Sequence, residues 1–303
     1  MKLTNSNFFK VCVLFILLGL LTACRTTQKD SVQVNIIPFP ISTVSSHQFS
    51  DINSLRCSEE SKAILSKQLT WLKSWKIYDP SRSSENFFLE KNETLSSGAY
   101  ILNINSNTVN ISYSDQNSIV HALSSIRQLL VLNDGKIPII KIEDKPVFSY
   151  RGMHLDVARH MYAIDEIKQF LDYMSIYKMN HFHWHLTDDQ GWRIESKRFP
   201  RLTEMASDGL FYKQSEVKDV IEYAALLGIR VVPEFGMPGH ASAIAVAYPE
   251  LMAEVKPYEM ERHWGVFKPL LDISKPEVYQ FVDSLIEEMT AIFPDQYLHI
   301  GGD

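Results

Sequence analysis

The residues best suited to chemistry in this chain follow short apolar runs that have the length of buried strands. The last of these runs, 297–300, opens onto two glycines and Asp303. Runs of four to eight apolar residues fit buried strands, and glycines let a ligand or another backbone segment come close. Similar blocks earlier in the chain carry Arg159, Asp188 and His240. Carboxylates and imidazoles can transfer protons, so we expect a polar site where these strands end.

The segment from residue 148 onward alternates between strand and helix patterns. Helical spacing of apolar residues, Gly228 as a helix end, and Ser274 with Glu277 as a capping box mark the helices. Strands that alternate with helices predict a parallel sheet, whose reactive groups lie at the strand ends. The predicted strands are 148–155, 180–186, 229–235 and 297–300, and the predicted helices are 165–179, 216–227 and one from 274 onward.

The segment before residue 147 has a different pattern and predicts a separate small α+β domain over residues 31–146. Two alternating runs, 100–104 and 109–113, are parted by a polar turn and predict a hairpin. Helical spacing follows over 118–132, and a further strand is predicted at 137–142. A helix is also predicted over 63–75. We place the domain boundary at the Asp-Lys-Pro sequence that ends at residue 146.

The blocks at the predicted strand ends closely resemble, in order and spacing, those of family 20 glycoside hydrolases, the β-N-acetylhexosaminidases. The resemblance covers nearly all of residues 146–303 and, more loosely, the small domain. It implies an α/β fold with a (β/α)₈ TIM barrel, of which 147–303 is the first half with four units. The blocks are Arg151-Gly-Met-His-Leu-Asp156-Val-Ala-Arg159-His160, His183-Trp-His185-Leu-Thr-Asp188-Asp189-Gln-Gly-Trp192-Arg, Pro233-Glu234-Phe-Gly-Met-Pro-Gly239-His240 and His299-Ile-Gly-Gly-Asp303.

The resemblance implies hydrolysis of terminal non-reducing N-acetyl-β-hexosamine residues from glycans, with retention. In that mechanism the substrate's own acetamido group is the nucleophile, and Asp303 is the catalytic residue that holds it and offsets the developing charge. Arg159 would bind sugar hydroxyls, and Asp188 with His240 would lie beside the general acid. The family's general acid follows the Gly-Gly-Asp sequence directly, and this chain ends at residue 303. We therefore expect the chain alone to be inactive, and we expect no metal or organic cofactor.

Two other functions remain open at this stage. His181, His183 and His185 alternate along a predicted strand and would face one way, as in metal-dependent amidohydrolases that hold zinc with such histidines. The alternative interpretation is that these side chains have no ligand and simply fill the barrel interior. A non-catalytic sugar-binding lipoprotein is the third possibility.

The N-terminal end predicts export and lipid anchoring. Residues 11–21 are apolar and follow two lysines, which is typical of a signal peptide over 1–23 and too short to span a bilayer. The lipobox before Cys24 predicts acylation there, a polar tether over 24–30, and attachment to a bacterial envelope membrane. Cys57 would then be the remaining cysteine, which excludes an intramolecular disulfide. A net charge of −6 without a basic block argues against nucleic acid as a partner.

Overall fold

The computed structural model describes residues 31–65, 68, 72 and 85–302. The signal peptide, Cys24, the tether and Asp303 lie outside the described residues, as does most of the helix predicted over 63–75. The observed helix in that region is α1, Glu59–Ile64. No helix in the described part of the chain combines the length and the apolar character that crossing a bilayer requires.

The first domain is a five-stranded sheet covered on one face by a long helix. The strands are β1 Ser42–Phe49, β2 Phe87–Lys91, β3 Tyr100–Ile104, β4 Val109–Tyr113 and β5 Pro138–Asp144, and the helix α2 is Gln116–Leu132. The strands lie in the order β1-β5-β3-β4-β2, and the predicted hairpin is confirmed by the antiparallel pairing of β3 and β4. The sequence did not predict β1 or β2, the two edge strands. Because β1 is mostly exposed and polar, it lacks the apolar alternation that marks a half-buried strand.

The second domain contains the predicted parallel sheet. The strands are β6 Gly152–Asp156, β7 His181–Asp188, β8 Gly191–Trp192, β9 Arg230–Met237 and β10 His299–Gly301. They lie in the order β10-β9-β7-β6, and the short β8 pairs antiparallel with the end of β7. The helices are α3 Ile164–Ile176, α4 Arg201–Ala206, α5 Gln214–Leu226, α6 Ser242–Ala247 and α7 Pro276–Thr290, with a 3₁₀ turn at Pro249–Leu251.

The two faces of β7 separate the core from the polar interior. Phe182, Trp184 and Leu186 are fully buried. Phe182 packs against Phe170 of α3, with 5.9 Å between the ring centroids. Because side chains alternate along a strand, the three odd-numbered histidines of β7 lie on the opposite face. The helix-packed side thus anchors the strand, and the histidine side is available for polar contacts.

Helix ends follow the local sequence, with one exception. The carboxylates of Glu166 and Glu216 accept the backbone N–H of the residue before α3 and α5, each at 2.7 Å. Gly228 has φ +68°, as the predicted helix end requires. The predicted capping box at Ser274 is wrong, because its hydroxyl donates to Asp272 at 2.6 Å and α7 begins later, at a proline. A proline at the first helical position needs no capped N–H.

A buried polar network joins the two domains. Lys178 Nζ lies 2.7 Å from Asp144 Oδ2 and donates to the Tyr100 hydroxyl at 2.9 Å. Arg151 donates to the carbonyls of Lys178 and Phe148, each at 2.7 Å, and its Nη2 lies 3.1 Å from His121 Nε2. Arg151 therefore supports structure rather than a binding site.

Candidate active site

The carboxyl ends of β6 and β7 bring Arg159 and Asp188 into contact. Asp156, the last residue of β6, accepts the backbone N–H of Ala158 at 3.0 Å and of Arg159 at 3.1 Å, which forms a tight turn after the strand. Its Oδ2 also lies 2.6 Å from Arg159 Nη1. The turn and the ion pair together direct the guanidinium toward β7, where Arg159 Nη2 lies 2.7 Å from Asp188 Oδ2.

Arg159 keeps part of its hydrogen-bonding capacity. Its Nε donates to Gln190 Oε1 at 3.0 Å, and Gln190 in turn donates to the His263 carbonyl at 2.7 Å. Among the described residues, the contacts with Asp156, Asp188 and Gln190 use three of the five guanidinium N–H donors. The side chain is 38% exposed. It can therefore offer further N–H donors to a ligand while these contacts hold its orientation.

His240 meets two adjacent carboxylates at the end of β9. Its Nδ1 lies 3.1 Å from Asp188 Oδ1 and 2.9 Å from Asp189 Oδ2. The backbone of His240 has φ +48°, a left-handed conformation that a non-glycine residue rarely adopts and that is enriched at functional sites. With the proton on Nδ1, a neutral His240 carries its lone pair on Nε2, where it can accept a proton or a hydrogen bond.

Asp188 is the centre of the cluster and stays ionised. Its side chain is only 3% exposed, and burial by itself would raise its pKa. The hydrogen bond from His185, the backbone N–H of Asp189 and the charge of Arg159 outweigh burial, so the pKa of Asp188 lies below its ordinary value. Asp189 instead supports the neighbouring helix, because its Oδ1 accepts from the backbone N–H and the hydroxyl of Ser242 at the start of α6.

A second polar layer lies on the histidine face of the sheet, below Asp188. Glu234 Oε2 lies 2.5 Å from His183 Nε2 and 3.5 Å from His185 Nδ1, while Glu234 Oε1 lies 3.3 Å from His299 Nδ1. Burial by itself would raise the pKa of Glu234. The contact with His183 and the nearby imidazoles outweigh burial and lower the pKa, so the carboxylate remains charged. His154 Nε2 lies 3.3 Å from His185 Nδ1. Burial and the imidazoles of His183 and His185 lower the pKa of His154, so it stays neutral.

Some of these side chains have the spacing of metal ligands. Three groups in the described residues place their donor atoms within 4.8 Å of one another: His154, His185 and Glu234; His183, Glu234 and His299; and Asp188, Asp189 and His240. His181 belongs to none of them. Its Nδ1 instead lies 2.7 Å from Asn180 Oδ1, and its ring stacks on Tyr150. The row of three β7 histidines is therefore split, and two of its members contact Glu234.

The structure brings three of the predicted site residues together. Arg159, Asp188 and His240 form one contacting cluster, whereas Asp303 lies outside the described residues. The sequence alone assigned no role to Gln190 or to Glu234. A sequence signal was available for both, because each lies within a strand-end block. Trp184 and Trp192 are fully buried, which agrees with a core role.

Comparison with known proteins identifies the class to which this fold and site belong. The family model described as "Glycosyl hydrolase family 20, catalytic domain" matches residues 148–303, and that for domain 2 of the same family matches residues 35–145. The chain therefore belongs to glycosyl hydrolase family 20. Its second sheet is part of the (β/α)₈ barrel of that family, and a small α+β domain precedes it.

Individual relatives agree with this assignment. A β-hexosaminidase of Vibrio furnissii is 37% identical over 269 residues, covering 82% of this chain and 44% of the relative. The solved chitobiase of Flavobacterium johnsoniae has a TM-score of 0.79 at 34% identity, with 91% and 45% of the two chains covered. An exo-β-N-acetylglucosaminidase of Vibrio harveyi, solved with N-acetylglucosamine, has a TM-score of 0.76 at 31% identity, with 90% and 47% covered. The chain spans less than half the length of these relatives.

Proposed function

We propose that the whole protein to which this chain belongs removes terminal non-reducing N-acetylhexosamine residues from β-linked glycans by substrate-assisted, retaining hydrolysis. The observation that carries the proposal is the contact of Arg159, Asp188 and His240 where β6, β7 and β9 end. The relatives support the substrate class, since one of them was solved with N-acetylglucosamine bound.

Each residue of the cluster suits a separate role in this reaction. The remaining guanidinium donors of Arg159 match a pair of neighbouring sugar hydroxyls, which are neutral acceptors that a planar fork can bind together. The Asp188 carboxylate stabilises positive charge on His240, and His240 Nε2 is then able to exchange a proton with a neighbouring acid. Asp303 would hold the acetamido N–H and offset the charge of the oxazolinium ion.

The mechanism depends on the acetamido group, so the substrate itself provides the first test. The whole protein should hydrolyse a chromogenic β-N-acetylglucosaminide and leave the corresponding glucoside, which lacks the acetamido group, intact. A thiazoline analogue of the oxazolinium ion should inhibit it competitively. Asp303→Asn should lower kcat by about 10²–10³-fold, the size typical for one group that stabilises transition-state charge. Equal turnover of both substrates, or binding of N-acetylglucosamine without any turnover, would contradict the proposal.

Arg159 provides a second test with a matched control. Arg159→Lys keeps the charge but loses the fork, so KM for the acetamido substrate should rise. Arg198→Lys is the control, because the Arg198 guanidinium forms an exposed ion pair with Glu287 and donates to the Ser284 carbonyl rather than contacting the cluster. It should leave KM unchanged. A similar KM for both variants would remove Arg159 from substrate binding.

We also propose that the protein is exported and anchored through Cys24. The support is the apolar run 11–21 between lysines and a lipobox-like sequence ending at Cys24. Replacement of Cys24 by Ala should move the protein from the membrane fraction to the soluble fraction of the cell envelope. Unchanged membrane association of this variant would argue against acylation there.

A further inference from the structure

We propose that His185 is a positioning residue for the Asp188–His240 pair, and that Glu234 holds it in place from the opposite side. The inference rests on the proposed hydrolase function for its kinetic test. It concerns a histidine of the second polar layer that the proposed reaction does not otherwise use.

The register of the sheet builds this arrangement. In the parallel pairing of β7 with β9, His185 is the partner of Glu234, and in the pairing of β6 with β7 it is the partner of Asp156. Partnered residues on neighbouring strands project from the same side of a sheet at close spacing. His185 therefore lies between a carboxylate on the next strand and Asp188, which follows three residues later on its own strand.

The contacts of Asp188 show what His185 contributes. Asp188 Oδ2 lies 2.9 Å from His185 Nε2 and 2.7 Å from Arg159 Nη2. Asp188 Oδ1 is then directed to His240 Nδ1 at 3.1 Å and to the backbone N–H of Asp189 at 2.7 Å. A carboxylate held at one oxygen by two donors cannot rotate without losing both. By holding Oδ2, His185 thus keeps Oδ1 directed at His240.

Each ring nitrogen of His185 has two polar neighbours. Nδ1 lies 3.3 Å from His154 Nε2 and 3.5 Å from Glu234 Oε2, and Nε2 lies 3.0 Å from the Thr187 carbonyl as well as 2.9 Å from Asp188 Oδ2. The carbonyl and the carboxylate both require a proton on Nε2, so this nitrogen donates toward Asp188 in the neutral ring and in the imidazolium alike. Burial lowers the pKa of His185, but the Asp188 hydrogen bond and the charges of Glu234 and Asp156 raise it above its ordinary value. The charged and titratable groups around this ring and its carboxylate partners are His154, Asp156, Arg159, His183, Asp188, Asp189, Glu234, His240 and His299.

Removal of His185 should affect the chemical step more than substrate binding. His185→Phe leaves Asp188 without one of the two groups that hold Oδ2, and it leaves Glu234 facing an apolar ring. Displacement of a catalytic group by about 1 Å can cost about 10²-fold in rate. We expect kcat of the whole protein to fall by up to about that factor with little change in KM. The pH profile of kcat should shift as well, since the charge next to His240 changes.

Two further variants separate positioning from general damage. His185→Gln retains a donor toward Asp188 and should recover part of kcat. His181→Phe is the control on the same face of the same strand, because His181 contacts Asn180 and Tyr150 rather than the cluster. It should keep the wild-type kcat and pH profile. Wild-type kinetics in His185→Phe, or an identical loss in His181→Phe, would overturn the proposal.

A measurement without turnover keeps this inference separate from the proposed function. A histidine with a raised folded pKa stabilises the protein below its unfolded pKa, and this stabilisation is lost as the pH rises through the folded value. The stability deficit of His185→Gln in urea should therefore be larger at pH 5.5 than at pH 9. If the wild type hydrolyses no substrate but this difference is present, the proposed function fails and the ion pairing of His185 stands. If His185→Gln matches the wild type in stability at both pH values, His185 does not hold the Asp188 carboxylate and the positioning inference is wrong.

Discussion

Acidification should destabilise the junction between the two domains through His121. This buried ring sits on α2 and faces the second domain. Its Nδ1 lies 2.8 Å from the Gly98 carbonyl, and its Nε2 lies 3.1 Å from Arg151 Nη2. The carbonyl requires a proton on Nδ1, and the guanidinium requires a lone pair on Nε2. Both contacts are satisfied only by the neutral ring.

The magnitude follows from the pKa of the folded protein. Burial is the largest cause that lowers the pKa of His121, and the charges of Arg151 and Lys178 lower it further. These effects outweigh the Gly98 hydrogen bond and the charge of Asp144, which raise the pKa, so it falls from 6.5 to about 4. A group with a lowered folded pKa contributes stability above its unfolded pKa and loses it as the pH falls toward the folded value. At about 1.36 kcal/mol per pH unit, the loss between pH 6.5 and 4 is about 3 kcal/mol.

Urea unfolding followed by tryptophan fluorescence at several pH values measures this directly. The wild type should be compared with His121→Gln, whose amide can donate to Gly98 and accept from Arg151 but does not titrate. The difference in unfolding free energy between the two proteins should fall by about 3 kcal/mol from pH 7 to pH 4. Other acid groups affect both proteins alike and cancel. Parallel stability curves over this range would refute the assignment of a neutral, buried His121.

Two further changes test how the fold is held together. Lys178→Met leaves Asp144 as a buried charge without its ion-pair partner and should lower the free energy of unfolding in urea by about 3–5 kcal/mol. Lys168→Met is the control, because it removes a partly exposed ion pair with Asp219 and should cost about 0–1 kcal/mol. Equal losses in the two variants would count against a buried ion pair at Lys178. Gly228→Ala should lower the melting temperature more than Gly209→Ala, because both have positive φ but only the first would bring a Cβ within 2.9 Å of another side chain. A larger drop in melting temperature for Gly209→Ala would show that the close contact at Gly228 does not determine the loss.

The helices and parallel strands were predictable because their signals are local. The apolar stripes of α3, α5 and α7 and the glycine after α5 reflect the geometry of single turns, so they could be read from short windows. Observed boundaries differ from the predicted ones by a few residues. The first barrel strand begins at Gly152 rather than at residue 148, and the preceding Val147 and Phe148 are exposed. An apolar run alone does not reveal whether a neighbouring strand pairs with it.

The candidate site was predictable as a set of residues but not as a network. Arg159, Asp188 and His240 each stand in a block that ends a strand, and the parallel order of those strands brings them to one edge. Nothing local indicated that Asp189 would contact His240 and also hold the start of α6, or that Gln190 would link Arg159 to a distant loop.

The sequence by itself determined the alternation of elements, the identity of the strand-end blocks and the family that they resemble, because each of these depends on residue types within a few positions. The tertiary structure alone decided the protonation and partners of the buried groups. His185 has Glu234 beside it, and His121 has Arg151, because sheet register and domain packing join residues tens of positions apart. Burial and the charge of such distant neighbours set the pKa values, so the chemistry of these histidines emerges only when the chain is folded.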